Sequence, residues 1–403
     1  MGTWESASVE DNLLDGGETL DTSHCVVAGG LHSENRSRLW SWLLDHGGAD
    51  LNEASVHESP HGKVYVGRVP QPLEERLAEL YESTYSLPAY FDLFFPALPK
   101  CAWHLSDPPH VIEFQVDRAT ALVLNGVFQI DAESLRKFCL AVFAALPSVD
   151  RIRFGNLACD PAELGLSFRT DRMVDDFVVT LPATRDEYLR SLGPHTRQNL
   201  PRYVRRIQRE HPGYCFGIWE RGGIEESLVE GVIGLSRLHW SAQGRVSSID
   251  ELYERRLQQL VRVCGLVGAL RVGKTLVAGW LGTHVGRHAF FHVTGYRDEY
   301  SYLAPGLLSC YFTINGCIDR GIQTVHLLWG DARYKRELGA EPYDLYFATV
   351  FRNAATRYRH PREEAAFRLA RARASSSPFV VMPRRLRRKA RGLLKSTTER
   401  PRG

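Results

Sequence analysis

The stretch that most constrains this chain runs from His288 to Gly321. "HAFFHVTGY" is rich in aromatic and β-branched residues, the composition of a buried strand. A polar loop follows, then Pro305-Gly306 and the mostly apolar "LLSCYFTINGCIDRG". Pro fits the first position of a helix, because the N–H it lacks has no intrahelical partner there. The order therefore predicts a strand, a loop and a helix over 305–320. The first N–H groups of such a helix, at Gly306, Leu307 and Leu308, are left open. Protein or water can cap them, or they can receive an anion with help from the helix dipole. With no Cβ at Gly306, a ligand can approach the backbone closely.

Similar alternations of strand and helix patterns extend along the chain. "SENRSRLWSWLLDH" reads as a helix, "GKVYVGRV" as a strand, and "PLEERLAELYESTY" as a helix opened by Pro72. Strands over "HVIEFQVDRAT" and "ALVLNGVF", the helix "AESLRKFCLAVFAAL" and the strand "RIRFGNLACD" complete a first α/β unit over 31–170. The second unit, 173–355, opens with the strand "MVDDFVVTLP" and the helix "ATRDEYLRSLG". An Arg-rich helix follows, in which Pro201 predicts a bend or a start at that residue. The strand "YCFGIWE" and two helices come next, the second given Ser248 as N-cap and read as far as "CGLVG". "ALRVGKTLVAGWLGTHVG" then reads as two strands turning at Gly273-Lys274, which rules out a phosphate-binding P-loop. "TVHLLWG", the short helix "ARYKRELG" and the strand "YDLYFATVF" close the unit. Mixed α/β with antiparallel neighbours is the fold class this predicts.

Charge separates the ends from the body. Residues 352–403 hold 16 Lys/Arg and 3 Glu, a net of +13, against −10 for residues 1–351. The basic segment 356–403 starts as a helix, "PREEAAFRLARARA", and continues as a tail suited to solvent, a polyanion or a membrane face. Residues 1–30 are acidic and rich in Gly and Ser, which predicts disorder. They lack the basic start and apolar run of a secretory signal. No run of twenty apolar residues occurs, and the eight cysteines form no Cys-x-x-Cys pair. A cytoplasmic location, buried reduced thiols and no metal site are the expectations.

Three stretches carry groups suited to chemistry. The first is the loop and helix start already described. The second, "LLWGDARYKRELGAEPY", brings Asp331, Tyr334 and Lys335 to one strand end. A Tyr hydroxyl can donate a proton to a leaving group, and a Lys can hold a phosphate or carboxylate. A capped surface helix with Asp331 near its start is the plainer alternative. The third is the helix with Arg197, Arg202, Arg205, Arg206 and Arg209. Positions 202, 205, 206 and 209 share a face, where like charges call for a neutralising partner. That partner is the acidic body itself, a nucleotide phosphate or RNA backbone.

Residues 173–350 resemble the BioF2-like and CelD-like acyltransferases of the GNAT superfamily, relatives of the FemAB peptidoglycan aminoacyl transferases. The resemblance is carried by the Arg-rich helix and by His239, Trp240 and Gly244 in "LSRLHWSAQGR". It continues through Ala278 of the meander, then Tyr296, Pro305, Gly306 and Gly321, and finally Gly330, Tyr334, Lys335 and Gly339. The sequence departs from that pattern at His326, where the family usually has an acid, at Pro201 and at Arg297. The resemblance implies a GNAT-like fold, with a splayed mixed sheet between helices. FemAB relatives carry two such domains in tandem, so 31–170 is a candidate first copy. It also implies N-acyl transfer from acyl-CoA, as co-substrate and not resident cofactor, to an amine acceptor. Tyr302, Leu303, Ala304, Pro305, Gly306 and Leu307 would receive the pantetheine-pyrophosphate end, with Lys335 and Arg205 as anion clamps. Tyr334 would protonate the thiolate, and His239 or His326 would take the amine proton, with Asp331 beside them. The alternatives are a FemAB-type transferase using aminoacyl-tRNA and a non-enzymatic protein of polysaccharide or envelope assembly. No DNA partner is implied; peripheral membrane contact would fall to the basic tail.

Overall fold

A computed structural model describes residues 54–358 except 245 and 248. The N-terminal segment, the predicted helix "SENRSRLWSWLLDH", Ser248 and the basic tail lie outside the described residues. Among the described residues thirteen strands form a single sheet. On one side are β1 (Ser55–Ser59), β2 (Gly62–Val66), β3 (Lys100–Leu105), β4 (His110–Asp117), β5 (Thr120–Val123) and β6 (Arg151–Leu157). On the other are β8 (Tyr214–Glu220), β9 (Gly265–Val272), β10 (Thr275–Val285), β11 (His288–Tyr296) and β12 (Thr324–His326). Between them lie β7 (Ser167–Thr180) and β13 (Glu341–Phe351).

The helices are α1 (Gln71–Tyr81), α2 (Pro88–Phe94), α3 (Ala132–Ala145), α4 (Arg185–Ser191), α5 (Pro194–Glu210), α6 (Glu226–Ala242), α7 (Glu251–Cys264), α8 (Pro305–Asp319), α9 (Arg333–Glu337) and α10 (Ala354–Tyr358). Local chemistry sets their ends. In α1, Leu73, Leu77 and Tyr81 are buried at four-residue spacing, and Glu82 stops the helix in a left-handed conformation, φ 47°. The Asp250 carboxylate accepts the Tyr253 N–H at 2.7 Å, so Asp250 is the N-cap of α7 in place of Ser248. That helix stops at Cys264, and "GLVG" opens β9. Pro201 lies inside α5, which starts earlier, with Pro194 in its first turn.

The two sides of the sheet repeat one plan. Strands β2 to β5 are antiparallel neighbours, α3 crosses over, and β6 pairs parallel with β5. Strands β8 to β11 are antiparallel neighbours, α8 crosses over, and β12 pairs parallel with β11. A pair of helices follows the first strand of each set: α1 and α2 in one, α6 and α7 in the other. The closing strands are exchanged. β7 follows β6 in the chain yet pairs with β12, and β13 follows β12 yet pairs with β6. β7 and β13 also pair with each other along eleven residues, from Glu341↔Val178 to Phe351↔Ser167.

Alternation divides the second half's core. Leu266, Leu270, Trp280, Phe291 and Val325 pack with Tyr188 of α4, Leu200 and Ile207 of α5, and Leu308 and Ile314 of α8. Val267, Ala269, Leu281 and Val293 face the other way, against Leu228 and Val232 of α6 and Leu257 and Val261 of α7. All seven described cysteines are free, and six are buried. Among the described residues no helix is long and apolar enough to cross a membrane.

Candidate active site where two parallel strands part

β11 and β12 pair only from His288↔Thr324 to Phe290↔His326. Beyond that point β11 keeps its bonds to β10, with a register jump. Leu281 faces Val293 and Gly282 faces Phe291, so His292 is an extra residue, a β-bulge that bends the strand. β12 ends at His326 and its continuation leans on β7 instead: the Leu327 N–H donates to the Phe177 carbonyl at 2.7 Å, and the Phe177 N–H to that of Leu328 at 3.1 Å. The expected strand "TVHLLWG" is therefore cut to three residues, with Leu328 at φ 56°. The two strands diverge as a splayed sheet requires.

The chain enters α8 through a 3-10 turn over Asp298–Leu303 and through Ala304, which holds φ 50° and ψ 50°. Among the described residues no side chain caps this helix start, and Pro305 occupies its first turn. A Cβ on Gly306 would lie 2.9 Å from Cδ1 of Tyr296. The glycine thus makes room for an aromatic ring of the protein, not for the close ligand approach read from the sequence. Leu303 is fully buried and Pro305 is buried, so both belong to the core, while Gly306 and Leu307 are half-buried. Tyr302 is 43% exposed. Its carbonyl accepts from Arg206 at 3.1 Å, the same guanidinium lies 4.8 Å above its ring, and His211 Nε2 is 3.0 Å from its hydroxyl.

α5 therefore reaches this loop through Arg206. Arg205, expected here as an anion clamp, is exposed and lines a groove further along α8. Lys335 is also placed differently. It is buried, and its ammonium donates to the carbonyls of Leu328 (2.9 Å) and Trp329 (2.6 Å) while lying 5.4 Å from the Phe177 ring. It ties down the turn after β12, which leaves that charge satisfied by carbonyls. Asp331 is exposed and pairs with Arg336.

Tyr334 packs against the core beneath α8. Burial pushes its phenol well above the usual range, and Cys310 adds to the shift. Cys310 itself is pushed up to about 12 by burial, although a hydrogen bond from Thr294 works the other way. Burial thus keeps Tyr334 protonated at physiological pH and makes it a weaker acid than a solvated phenol. His239 lies on α6, its ring 4.7 Å from that of Tyr296, with Asp298 at 3.5 Å and Gln243 at 2.9 Å.

His326 belongs to a second cluster. Its Nδ1 donates to Oδ2 of Asp176 at 2.6 Å, and its ring stacks on Phe290 at 4.4 Å. Asp176 is fully buried on β7, and its Oδ1 has no hydrogen-bond donor among the described residues. With Nδ1 protonated toward the carboxylate, Nε2 of neutral His326 carries the lone pair. It accepts from Nδ1 of His288 at 3.0 Å, and Nε2 of His288 faces Glu82 of the first half at 3.6 Å. Burial first, then His326, push His288 down to about 4. Val325 packs under α8, so alternation puts His326 on the other face of β12. The structure thus places the Tyr334 group and the His326 group on opposite faces of the sheet, on either side of the gap between β11 and β12. Asp176, His288 and Glu82 were not anticipated, and Arg206 was expected only as one of the basic residues sharing a face of α5. For Asp176 a signal existed: "VDDFVV" puts two acids inside an apolar strand, where a buried carboxylate needs a partner. No cluster of three or more metal-ligating side chains occurs among the described residues.

This geometry agrees with what the chain resembles. Residues 194–336 match the acetyltransferase (GNAT) domain family. The crystal structure of FemX is similar in fold, with a TM-score of 0.53 at 9% identity over 69% of this chain and 96% of that one. L-PGS from Bacillus licheniformis aligns at a TM-score of 0.44 and 15% identity over 71% and 92% of the two chains. No curated protein matches the chain. The fold is GNAT-like, and residues 194–336 carry the match to an acetyltransferase domain.

Proposed function

We propose that the protein is an N-acyltransferase that moves an acyl group from acyl-CoA to an amine. The observation that carries this is the uncapped start of α8 beside the divergence of β11 and β12. The donor's pyrophosphate lies against the N–H groups of Gly306 and Leu307, with Arg206 and the exposed Tyr302 alongside. Its pantetheine arm runs into the gap between the strands, and its thioester reaches their point of parting. Attack by the amine makes a tetrahedral oxyanion, which strand N–H groups near the bulge stabilise. Tyr334 protonates the departing thiolate. The amine proton passes to the His326–His288 pair: Asp176 fixes the tautomer of His326, and Glu82 stands beside the outer histidine. His239 holds Tyr296 and Asp298 at the loop.

A second reading, aminoacyl transfer from a charged tRNA, draws on the exposed arginines Arg202, Arg205 and Arg209 along α5. Calorimetric titration of the full chain with acetyl-CoA and with aminoacyl-tRNA separates the two. Saturable one-site binding of acetyl-CoA is the expected result. Failure of every CoA species to bind, with tight salt-sensitive binding of the charged tRNA, would replace the first reading by the second.

A further inference from the structure

A groove of about 690 Å³ lies between α4, α5, α8 and the edge strand β8, away from the start of α8. Its floor is aromatic: Phe216 and Phe312 have ring centroids 5.2 Å apart, and Tyr311 lies 5.9 Å from Phe312. Leu189, Val204 and Ile218 supply aliphatic walls. At its base stands Asn315, only 7% exposed, whose Oδ1 is buried with no hydrogen-bond partner among the described residues. An apolar occupant would leave that oxygen unpaired. The charges at the rim are mostly spent. Arg185 pairs with Asp319 and Arg320 with Glu220, while Asp186 adds a negative charge. Arg205 has no ion-pair partner among the described residues.

We propose that this groove binds an adenine nucleotide. The base stacks on the aromatic floor, as bases do on such side chains. The Asn315 amide meets the N6 amine and N7 of adenine, the pairing that its side by side acceptor and donor fit. Arg205 holds the phosphate. Two sources share this chemistry, a free nucleotide and the nucleotide end of a CoA ester.

Calorimetric titration of the full chain with AMP, UMP and inorganic phosphate tests the assignment. AMP saturates one site, and UMP and phosphate bind roughly tenfold more weakly or worse. Asn315→Leu and Arg205→Glu each weaken AMP by about tenfold. Arg205 is exposed, so its variant folds even if the core change at Asn315 does not, and thermal melting checks both. No saturable AMP binding, equal binding of UMP, or an Arg205→Glu variant with wild-type affinity would overturn the proposal. Acetyl-CoA titrated into the AMP complex assigns the source. Displacement makes the groove the seat of the donor's nucleotide end, and simultaneous binding makes it a separate nucleotide site. Acetyl-CoA binding without any AMP binding sinks the groove proposal alone and leaves the transferase reading standing.

Discussion

The starts of α3 and α8 occupy equivalent places in the two halves, and they are built to opposite ends. α3 begins at Asp131, whose carboxylate accepts the Ser134 N–H at 2.8 Å and lies 3.7 Å from His110. Partial burial works against ionisation, but the bonds from Ser134 and the nearby His110 hold that carboxyl below its usual range. α8 begins at Ala304, with no side chain to accept from its first turn. The gap after the parallel pair is treated differently as well. In the first half it is bridged by backbone: Gly126 N–H donates to the Tyr85 carbonyl and Val127 N–H to that of Asn156, each at 2.9 Å. One topology thus yields a sealed site and an open one, and the difference resides in a few residues at a helix start.

The comparison is sharpened most strongly at the His326 cluster. His326→Ala and Asp176→Asn should each lower turnover by about 10²–10⁴ with donor affinity retained, the scale of a lost proton acceptor. Steady-state rates with an amine acceptor, alongside acetyl-CoA titration, check this; unchanged kcat in both variants would remove the cluster from the mechanism. A smaller effect is expected from pH. Burial pushes His292 down to about 4, and His288 reaches about 4 by burial and His326 together. In the unfolded chain these groups take up protons near pH 6.5. Between about 6.5 and 4 the unfolded state binds more protons, so stability falls as pH falls through that window, by up to about 2–3 kcal/mol per group. Urea midpoints from pH 7 to 4 should show the slope, and His292→Gln should flatten it.

Exchanging the two helix starts tests the contrast directly. Ala304→Asp puts a carboxylate where the donor's phosphates are proposed to lie, and Asp tolerates the left-handed backbone there. Acetyl-CoA affinity should drop about tenfold, near 1.4 kcal/mol, with the melting temperature little changed. Full affinity in this variant would show that the donor does not use the α8 start. The smallest effect belongs to the mirror change. Asp131→Ala should cost about 1 kcal/mol of stability and leave acetyl-CoA binding alone.

Legibility in the sequence followed the range of the interactions concerned. Periodicity marked α1, α3 and α7, and Pro305 marked the start of α8, because those signals are local. α2 and β3 escaped notice: "PAYFDLF" is too short to show a helical period, and "KCAWHL" alternates imperfectly because Trp103 and Cys101 are buried on one face and Ala102 on the other. The site was legible only in part. The strand–loop–helix order brought Gly306 into view and the closing motif Tyr334, while Tyr302 came only through the family resemblance; one helical step separates Arg205 in the groove from Arg206 on the Tyr302 loop, and periodicity does not rank neighbours. The ammonium of Lys335 finds two carbonyls freed when β12 ends early, an outcome set by strand pairing. Asp176 meets His326 across 150 residues of chain, a distance over which no motif spacing carries information.

The exchange of β7 and β13 has a consequence in time. During synthesis the first half emerges complete in sequence through β6, but the neighbour that covers the free edge of β6 is not made until residues 341–351 leave the ribosome. Until then β6 presents unpaired N–H and C=O groups, the kind of edge that invites pairing with the wrong strand. β7 waits as well, since both of its partners are translated after it. The nascent chain must therefore carry an open edge through roughly 180 residues of further synthesis, on the order of ten to forty seconds at ordinary translation rates. The two halves, alike in plan, mature in one event and not in succession.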